Sequence, residues 1–237
     1  MGAPVIGIIG SGNIGAAVAR MATTAGLAVV ISNSRGPATL ADLVAELGDT
    51  AIADTVAGAA ARAEVVVVAV PLAAYSSLAP QMLAGKVVID AMNYYPDRDG
   101  PMPELTGSGL SSSEFLQRQW PGAQVVKALN NVDAVRLPLL PRPAGRPDRT
   151  ALPVSADDAG AMATVIEVLD RIGFDTLSLG SLSESWRSQP GTPIYVAPYF
   201  RDREPASEDP YQRFVEAEPV PVPLARAREL ADAAIHS

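Results

Sequence analysis

Short apolar runs recur along the chain and alternate with stretches whose apolar positions have helical spacing. The longest uninterrupted run, residues 65–70, is rich in valine, which is typical of a strand buried on both faces of a parallel sheet. Strands that alternate with helices in this way indicate βαβ units. The pattern therefore predicts an α/β protein with a Rossmann-type, doubly wound and mainly parallel sheet.

The same pattern places the individual elements. Strands are predicted at residues 4–9, 28–31, 50–53, 64–70, 86–91, 124–129, 151–155 and 174–179. Helices are predicted after the first strand and at residues 38–47, 54–62, 157–171, 181–189 and 224–235. A further helix is predicted to begin at the serine run 111–113, which would cap it, and to end at Trp120. Residues 201–223 are rich in charge and proline and are predicted to be extended.

Three glycines stand where the first predicted strand meets the first predicted helix. The first glycine of such a turn allows a sharp bend, the second leaves room for a pyrophosphate, and the third lets the helix lie close to the sheet. An ordinary glycine-rich turn is the alternative, but a strand before the motif and a helix after it are the context that a dinucleotide site requires. The predicted dinucleotide-binding residues are Gly10, Ser11, Gly12, Asn13, Ile14 and Gly15.

The end of the second predicted strand indicates which dinucleotide binds. NAD sites place an acidic residue about 20 positions after the glycines, whereas this chain has Ser32, Asn33, Ser34 and Arg35 there. Hydroxyl groups, an amide and a guanidinium suit a 2′-phosphate, because arginine donates paired charge-assisted hydrogen bonds to phosphate oxygens. These residues predict NADP(H), and the alternative is a surface turn before Pro37.

Composition limits the other functions that the chain can have. Its 237 residues, 48% of them hydrophobic, suffice for one large domain or for a domain with an appendage. A formal net charge of −8 argues against binding to nucleic acid or to an anionic membrane. There is no cysteine and one histidine, His236, so no metal site is predicted. The first apolar run follows no basic stretch and is too short to span a membrane, which predicts a soluble, cytoplasmic enzyme.

Four regions are predicted along the chain: an NADP-binding Rossmann domain at residues 1–136, a linker or loop excursion at 137–150, a small C-terminal substrate-side part at 151–197, and an extended tail with a terminal helix at 198–237. The excursion contains four prolines and the arginines Arg142, Arg146 and Arg149. These arginines could attract an acidic extension of a substrate. A solvated basic loop is the simpler interpretation.

Five motifs in sequence order resemble one family: residues 10–15 (GSGNIG), 32–37 (SNSRGP), 90–96 (DAMNYYP), 126–130 (VKALN) and 186–195. Together they resemble the bacterial relatives of the NADP oxidoreductases that use coenzyme F420, over about residues 3–197. The resemblance implies a Rossmann domain with a small part that closes over the crevice, a homodimer, and reversible hydride transfer between NADPH and a deazaflavin stacked on the nicotinamide.

The resemblance also implies which residues contact each part of the cofactor: Ser11, Asn13 and Ile14 the pyrophosphate, Ser34 and Arg35 the 2′-phosphate, Val70 and Pro71 the adenosine side, and Asn130 and Ala134 the nicotinamide. Residues 152–158 and 180–183 resemble the wall near the second substrate. In archaeal members a histidine occupies the position of Asn130. This departure leaves the identity of the hydride acceptor open.

Other residues on the predicted substrate side have both a functional interpretation and a simpler structural one. Tyr94 and Tyr95 follow a predicted strand and could donate a proton, although tyrosines in a proline-bounded loop often only pack. Asp133 could be a general acid but more simply caps a helix that follows it. Trp186 could stack on a planar ligand or anchor a lid.

The residue inventory favours hydride transfer to a ring. Reduction of a ketone needs a proton donor such as histidine, a Tyr-x-x-x-Lys pair or a metal, and neither lysine of this chain has that spacing. Transfer to a deazaflavin relies mainly on positioning, so no acid–base residue is assigned. Two alternatives stay open, namely an NADPH-dependent reductase of a small imine or carbonyl compound and a non-catalytic NADP-binding sensor.

Overall fold

The computed structural model describes residues 3–107, 109–201 and 209–236. The strands in these residues are β1 (Ile6–Ile9), β2 (Val29–Ser32), β3 (Ala51–Ala53), β4 (Val65–Val68), β5 (Val87–Asp90), β6 (Gln124–Lys127), β7 (Ala151–Ala156), β8 (Asp175–Gly180), β9 (Phe200–Arg201) and β10 (Glu218–Pro219). The first eight form one sheet in the order β3-β2-β1-β4-β5-β6-β7-β8, and β9 pairs with β10. All neighbours in the large sheet are parallel except β6 and β7. The predicted Rossmann-type fold class is confirmed.

Helices connect these strands. They are α1 (Asn13–Thr24), α2 (Ala41–Leu47), α3 (Val56–Arg62), α4 (Pro80–Leu83), α5 (Pro96–Asp99), α6 (Ser112–Gln119), α7 (Ala159–Arg171), α8 (Pro210–Glu216) and α9 (Leu224–Asp232). Helix α2 is preceded by a 3₁₀ turn at Pro37–Leu40, and the helix predicted at 181–189 is a 3₁₀ helix at Leu182–Ser188. The predicted cap before α6 is confirmed, since Ser111 and Glu114 form a reciprocal capping box.

The part of the sheet around β1 is buried on both faces. Strand β1 pairs Ile6 with Val29 on one side and with Val65 on the other, and every residue of β1, β2 and β4 is buried. Burial on both faces explains the run of four valines in β4, because neither face needs polar side chains. Helix α3 packs so closely that a Cβ atom at Gly7 would lie 2.8 Å from the carbonyl oxygen of Ala59.

Strands β7 and β8 belong to the same sheet as β1, so residues 151–197 share one core with the nucleotide-binding half. The boundaries proposed for four regions stay a prediction. Across the described residues, no helix has both the length and the apolar character that crossing a bilayer requires.

The prediction of an extended segment at 201–223 is wrong for residues 210–216, which form α8. The helix begins where the Asp209 side chain accepts a hydrogen bond from the backbone N–H of Tyr211. Phe214 on α8 and Phe200 on β9 then pack against the buried Arg136, whose guanidinium carbon lies 4.1 and 5.0 Å from the two ring centres. This cation–π contact is a long-range interaction, which local composition does not reveal. Residues 202–208 of the predicted segment lie outside the described part.

The excursion at residues 137–150 is packed against the body of the protein. Leu137 and Leu140 are completely buried, and Arg149, only 4% exposed, donates hydrogen bonds of 2.7 Å to the carboxylates of Asp170 and Asp175. The interpretation as a solvated basic loop is therefore wrong for Arg149. It describes Arg146, whose side chain is 58% exposed and pairs with a neighbouring aspartate.

We expect the substitution Arg149→Ala to lower the free energy of unfolding by about 2 kcal/mol, because several hydrogen bonds with a charged donor are lost together. Arg146→Ala is the matched control from the same loop and should barely change stability, since its ion pair is exposed. Urea unfolding followed by circular dichroism measures both. Equal effects of the two substitutions would contradict the anchoring role of Arg149.

Candidate functional site

A cleft of about 350 Å³ opens where the carboxyl ends of β1, β4, β5 and β6 meet. The strand order reverses beside β1, and ligands of open α/β sheets bind at such a point. The lining residues come from the glycine-rich turn, the loops after the three other strands and a late segment: Gly12, Asn13, Ile14, Ala69, Val70, Pro71, Ala91, Met92, Asn93, Tyr95, Arg98, Asn130, Val132, Asp133, Ala134, Tyr195 and Val196. The structure thus brings together residues that the sequence separates by more than 180 positions.

The glycine-rich turn has one open position between two closed ones. A Cβ atom at Gly10 would lie 2.3 Å from the carbonyl oxygen of Ala69, and one at Gly15 would lie 1.8 Å from that of Gly10. At Gly12, by contrast, an added Cβ atom would meet nothing within 4 Å. Helix α1 begins directly after Gly12 without a side-chain cap, so its first N–H groups are available beside this space. The turn therefore fits the pyrophosphate of a dinucleotide.

The end of β2 divides into structural residues and exposed ones. Ser32 is buried and its hydroxyl donates to the carbonyl oxygen of Ile8 at 3.0 Å. The Asn33 amide donates to the Ser11 hydroxyl at 3.1 Å, which ties this strand end to the glycine-rich turn. Ser34 and Arg35 are exposed, and the Arg35 guanidinium has no partner among the described residues. A hydroxyl and an unpaired cation at this place fit a 2′-phosphate.

Asn130 lines the cleft, but its amide is used inside the protein. Its amide nitrogen donates to the side-chain oxygen of Asn93 at 3.1 Å and to the carbonyl oxygen of Ser188 at 2.8 Å. Asn93 in turn donates to the carbonyl oxygen of Asn130 at 2.8 Å. The pair joins the loops after β5 and β6. A direct contact between Asn130 and the nicotinamide stays a prediction.

A buried ion pair links the ends of β5 and β6, the two strands that lead into these loops. The Asp90 carboxylate and the Lys127 ammonium lie 3.1 Å apart and are almost completely buried. Asp90 also accepts hydrogen bonds from the Ser113 hydroxyl and from the backbone N–H of Met92. Burial lowers the pKa of Lys127 more than the neighbouring carboxylate raises it. The pair fixes the ends of β5 and β6 and does not reach the cleft itself.

Two tyrosines that line the cleft, Tyr95 and Tyr195, are hydrogen-bonded to each other through their hydroxyl groups. Arg98 lies over the ring of Tyr95, with its guanidinium carbon 4.8 Å from the ring centre. The position of Tyr95 after a strand was a signal for the cleft, whereas no sequence feature singled out Tyr195 or Arg98.

Backbone strain is found at two residues that are in or next to the lining of the cleft. Leu129 and Val196 have φ angles of 61° and 54°, the only positive values among the non-glycine residues that the structure describes. Leu129 precedes Asn130, and Val196 follows Tyr195. A β-branched residue with positive φ is unfavourable, and such strain is often found at functional sites.

Of the further candidate residues, Tyr94 and Trp186 do not line the cleft, whereas Asp133 does. The Tyr94 hydroxyl donates to the carbonyl oxygen of Gly100 and accepts from the N–H of Met102, so it is occupied within its own loop. Trp186 packs edge to face against His236 beside a different cavity of about 430 Å³. Asp133 reaches the cleft and accepts hydrogen bonds from the N–H groups of Val135 and Arg136, as expected of a cap.

Val70, Pro71 and Ala134 line the cleft where the resemblance implies cofactor contacts, while none of the residues in the ranges 152–158 and 180–183 is among its lining residues. Within the described residues, no three histidine or acidic side chains are grouped so that they could hold a metal ion. The cleft can therefore offer backbone N–H groups, amides, hydroxyls and one arginine to a ligand.

Comparison with known proteins agrees with the fold. Residues 5–94 match the family model described as NADP oxidoreductase, coenzyme F420-dependent. The solved structure of hypothetical protein SMa0349 from Sinorhizobium meliloti is 33% identical, with a TM-score of 0.71, and the match covers 81% of this chain and 92% of that chain. A candidate F420-dependent NADP reductase from Arthrobacter sp. FB24 is 28% identical, with a TM-score of 0.63 and coverage of 77% and 87%.

A curated relative has a different description. Metalloreductase STEAP3 of Rattus norvegicus is 31% identical over 201 residues, which are 84% of this chain and 38% of the relative. The chain thus spans less than two fifths of the length of this relative. The two solved structures share the fold, and the range matched by the family model includes the glycine-rich motif. Residues 5–94 belong to the family of NADP oxidoreductases described as coenzyme F420-dependent.

Proposed function

We propose that the protein transfers hydride between NADPH and a deazaflavin of the coenzyme F420 type. The observation that carries the proposal is the composition of the cleft, in which the glycine-rich turn and the loops after β5 and β6 line one cavity of about 350 Å³. A nicotinamide that extends from the turn would lie beside Asn130 and Ala134, with Tyr95 and Tyr195 facing the second ring. Membership of the family supports a deazaflavin as that ring.

Each part of the cofactor has residues that suit it. The N–H groups at the start of α1, beside Asn13 and Ile14, suit the pyrophosphate, and Gly12 keeps the approach open. Arg35 and Ser34 suit the 2′-phosphate. Val70 and Pro71 offer an apolar edge to the adenosine side.

Bound NADPH supplies a hydride from its dihydronicotinamide ring. The protein contributes by holding both rings in contact and by excluding water, which can account for a large part of the rate. The hydrogen bonds between Asn93 and Asn130 and the ion pair of Asp90 and Lys127 keep the loops of the cleft in place before the ligands arrive. We also propose, on family resemblance, a homodimer and, from the sequence features given above, a cytoplasmic location.

A second candidate function is reduction of a small imine or carbonyl compound by NADPH. The hydroxyl pair of Tyr95 and Tyr195 favours it, because a small imine or carbonyl needs a hydrogen-bond or proton donor more than a conjugated ring does, and the lysines and the histidine of this chain do not supply one.

Mixing the purified protein with NADPH and an oxidised deazaflavin should bleach both chromophores in parallel. Absorbance spectroscopy measures the loss of each, and the same assay with a cyclic imine and with an activated ketone in place of the deazaflavin tests the second candidate. Turnover of an imine or ketone without turnover of the deazaflavin would replace the leading proposal by the second one.

We expect Arg35→Ala to weaken NADPH binding by about 1.5 to 3 kcal/mol and to leave NADH binding nearly unchanged, because only NADPH presents a phosphate to the guanidinium. Fluorescence titration with both nucleotides measures the difference. Arg146→Ala, which removes an exposed arginine outside the cleft, should affect neither nucleotide. The 2′-phosphate assignment fails if Arg35→Ala weakens both nucleotides equally.

The two closed and one open glycine positions predict opposite results for two alanine substitutions. Gly12→Ala should keep its melting temperature but lose NADPH affinity at least about tenfold, because the new methyl group projects into space that the pyrophosphate needs. Gly15→Ala should unfold at a clearly lower temperature, since its methyl group would overlap the carbonyl oxygen of Gly10. Thermal melting and nucleotide titration distinguish them. Unchanged affinity in Gly12→Ala would move the pyrophosphate elsewhere.

A further inference from the structure

The hydroxyl groups of Tyr95 and Tyr195 share one hydrogen bond in the cleft. Either oxygen can be the donor. Neither hydroxyl has another hydrogen-bond partner among the described residues, and both side chains are half-buried.

The two hydroxyl groups carry two hydrogens, and their mutual bond uses one of them. The hydroxyl that accepts this bond keeps its own hydrogen, which is free for whatever occupies the cleft. Tyr94 shows the contrast: its hydroxyl both donates and accepts within its loop. The cleft therefore contains one unused O–H donor that can sit on either tyrosine.

Both tyrosines are held in place by their surroundings. Arg98 covers the ring of Tyr95 and is itself fixed by hydrogen bonds to the carbonyl oxygen of Asn93 and to the Asp99 carboxylate. Arg98 is thus held in place, and the free O–H group of the tyrosine pair lies beside it.

Tyr195 is held by a strained turn. The N–H of Ala197 bonds to the carbonyl oxygen of Tyr195 at 2.6 Å, which makes Val196 the centre of a γ-turn with φ 54° and ψ −58°, the rarer and strained form. The N–H of Val196 bonds to the carbonyl oxygen of Asn131 at 2.9 Å, so the loop after β6 maintains the strain. Strain of this kind persists only where the surrounding structure enforces it.

Burial, and then the hydrogen bond to Tyr95, raise the pKa of Tyr195 above its usual value. The hydroxyl therefore keeps its proton at neutral pH, and the proton is present when an acceptor binds.

We propose that Tyr95 and Tyr195 together are the proton donor to the ring that accepts hydride. The assignment rests on the proposed function. As a hydrogen with two electrons leaves NADPH for a ring carbon of the acceptor, negative charge develops on a conjugated ring nitrogen or carbonyl oxygen. The free tyrosine hydroxyl gives its proton to that atom, and the resulting phenolate takes a proton back from solvent through its partner. The sum is NADPH, acceptor and one proton giving NADP⁺ and reduced acceptor.

Phenylalanine substitutions test this assignment, with Tyr75→Phe as the matched control because the ring of Tyr75 packs against Phe115 away from the lining of the cleft. The double variant Tyr95→Phe, Tyr195→Phe should lower the single-turnover rate of deazaflavin reduction about 100-fold. Each single variant keeps one hydroxyl and should lose about tenfold. NADPH affinity should stay unchanged in all of them.

A binding measurement without nicotinamide nucleotide gives a readout that does not depend on turnover. The double variant should bind oxidised deazaflavin about fivefold more weakly by fluorescence titration, as loss of one hydrogen bond predicts, and Tyr75→Phe should bind it normally. Tyr195→Phe could lower the melting temperature by releasing its strained loop. In that case Tyr95→Phe, at a residue outside that loop, tests whether the hydroxyl pair donates the proton.

The outcomes separate the two proposals. Bleaching that is as fast in the double variant as in the unmodified protein would overturn the proton-donor assignment alone. If the unmodified protein neither binds nor bleaches the deazaflavin, the proposed function fails, and this assignment fails with it.

Discussion

The close approach of α1 to the turn after β1 is the constraint on which the rest of the structure depends. The carbonyl oxygen of Gly10 occupies the place where any side chain at residue 15 would begin. This contact sets the direction of α1, and with it the direction of its free N–H groups. Because β1 lies between β2 and β4, the same contact fixes the helix start at the point where the strand order reverses, and the cleft forms there.

Buried polar groups hold the rest of the cleft in shape. The Asp90–Lys127 pair and the amide pair of Asn93 and Asn130 link the ends of β5 and β6. Burying a charged pair rarely adds much stability, because the cost of removing both charges from water offsets their attraction. Its effect is geometric here: a satisfied network permits one arrangement of the two loops, so the cleft exists before a ligand arrives.

Two parts of the cleft are built differently. The glycine-rich turn and the end of β2 are joined by one hydrogen bond between Asn33 and Ser11. The part around the two tyrosines joins segments 100 residues apart through their hydroxyl groups, and a strained turn at Val196 holds one of them. The tail also packs back on the body, where Phe200 and Phe214 enclose Arg136 close to the loop after β6.

The sequence alone determined the fold class and most strand positions, because these depend on local patterns such as valine runs and helix caps. The spacing of Gly10, Gly12 and Gly15 predicted the place of a dinucleotide. The sequence also indicated NADP(H) from a missing acid and a present arginine. Only the tertiary structure decided that Arg149 is buried, that residues 210–216 are helical and that Tyr195 reaches Tyr95. Each of these depends on contacts between distant segments, which local spacing and composition do not encode.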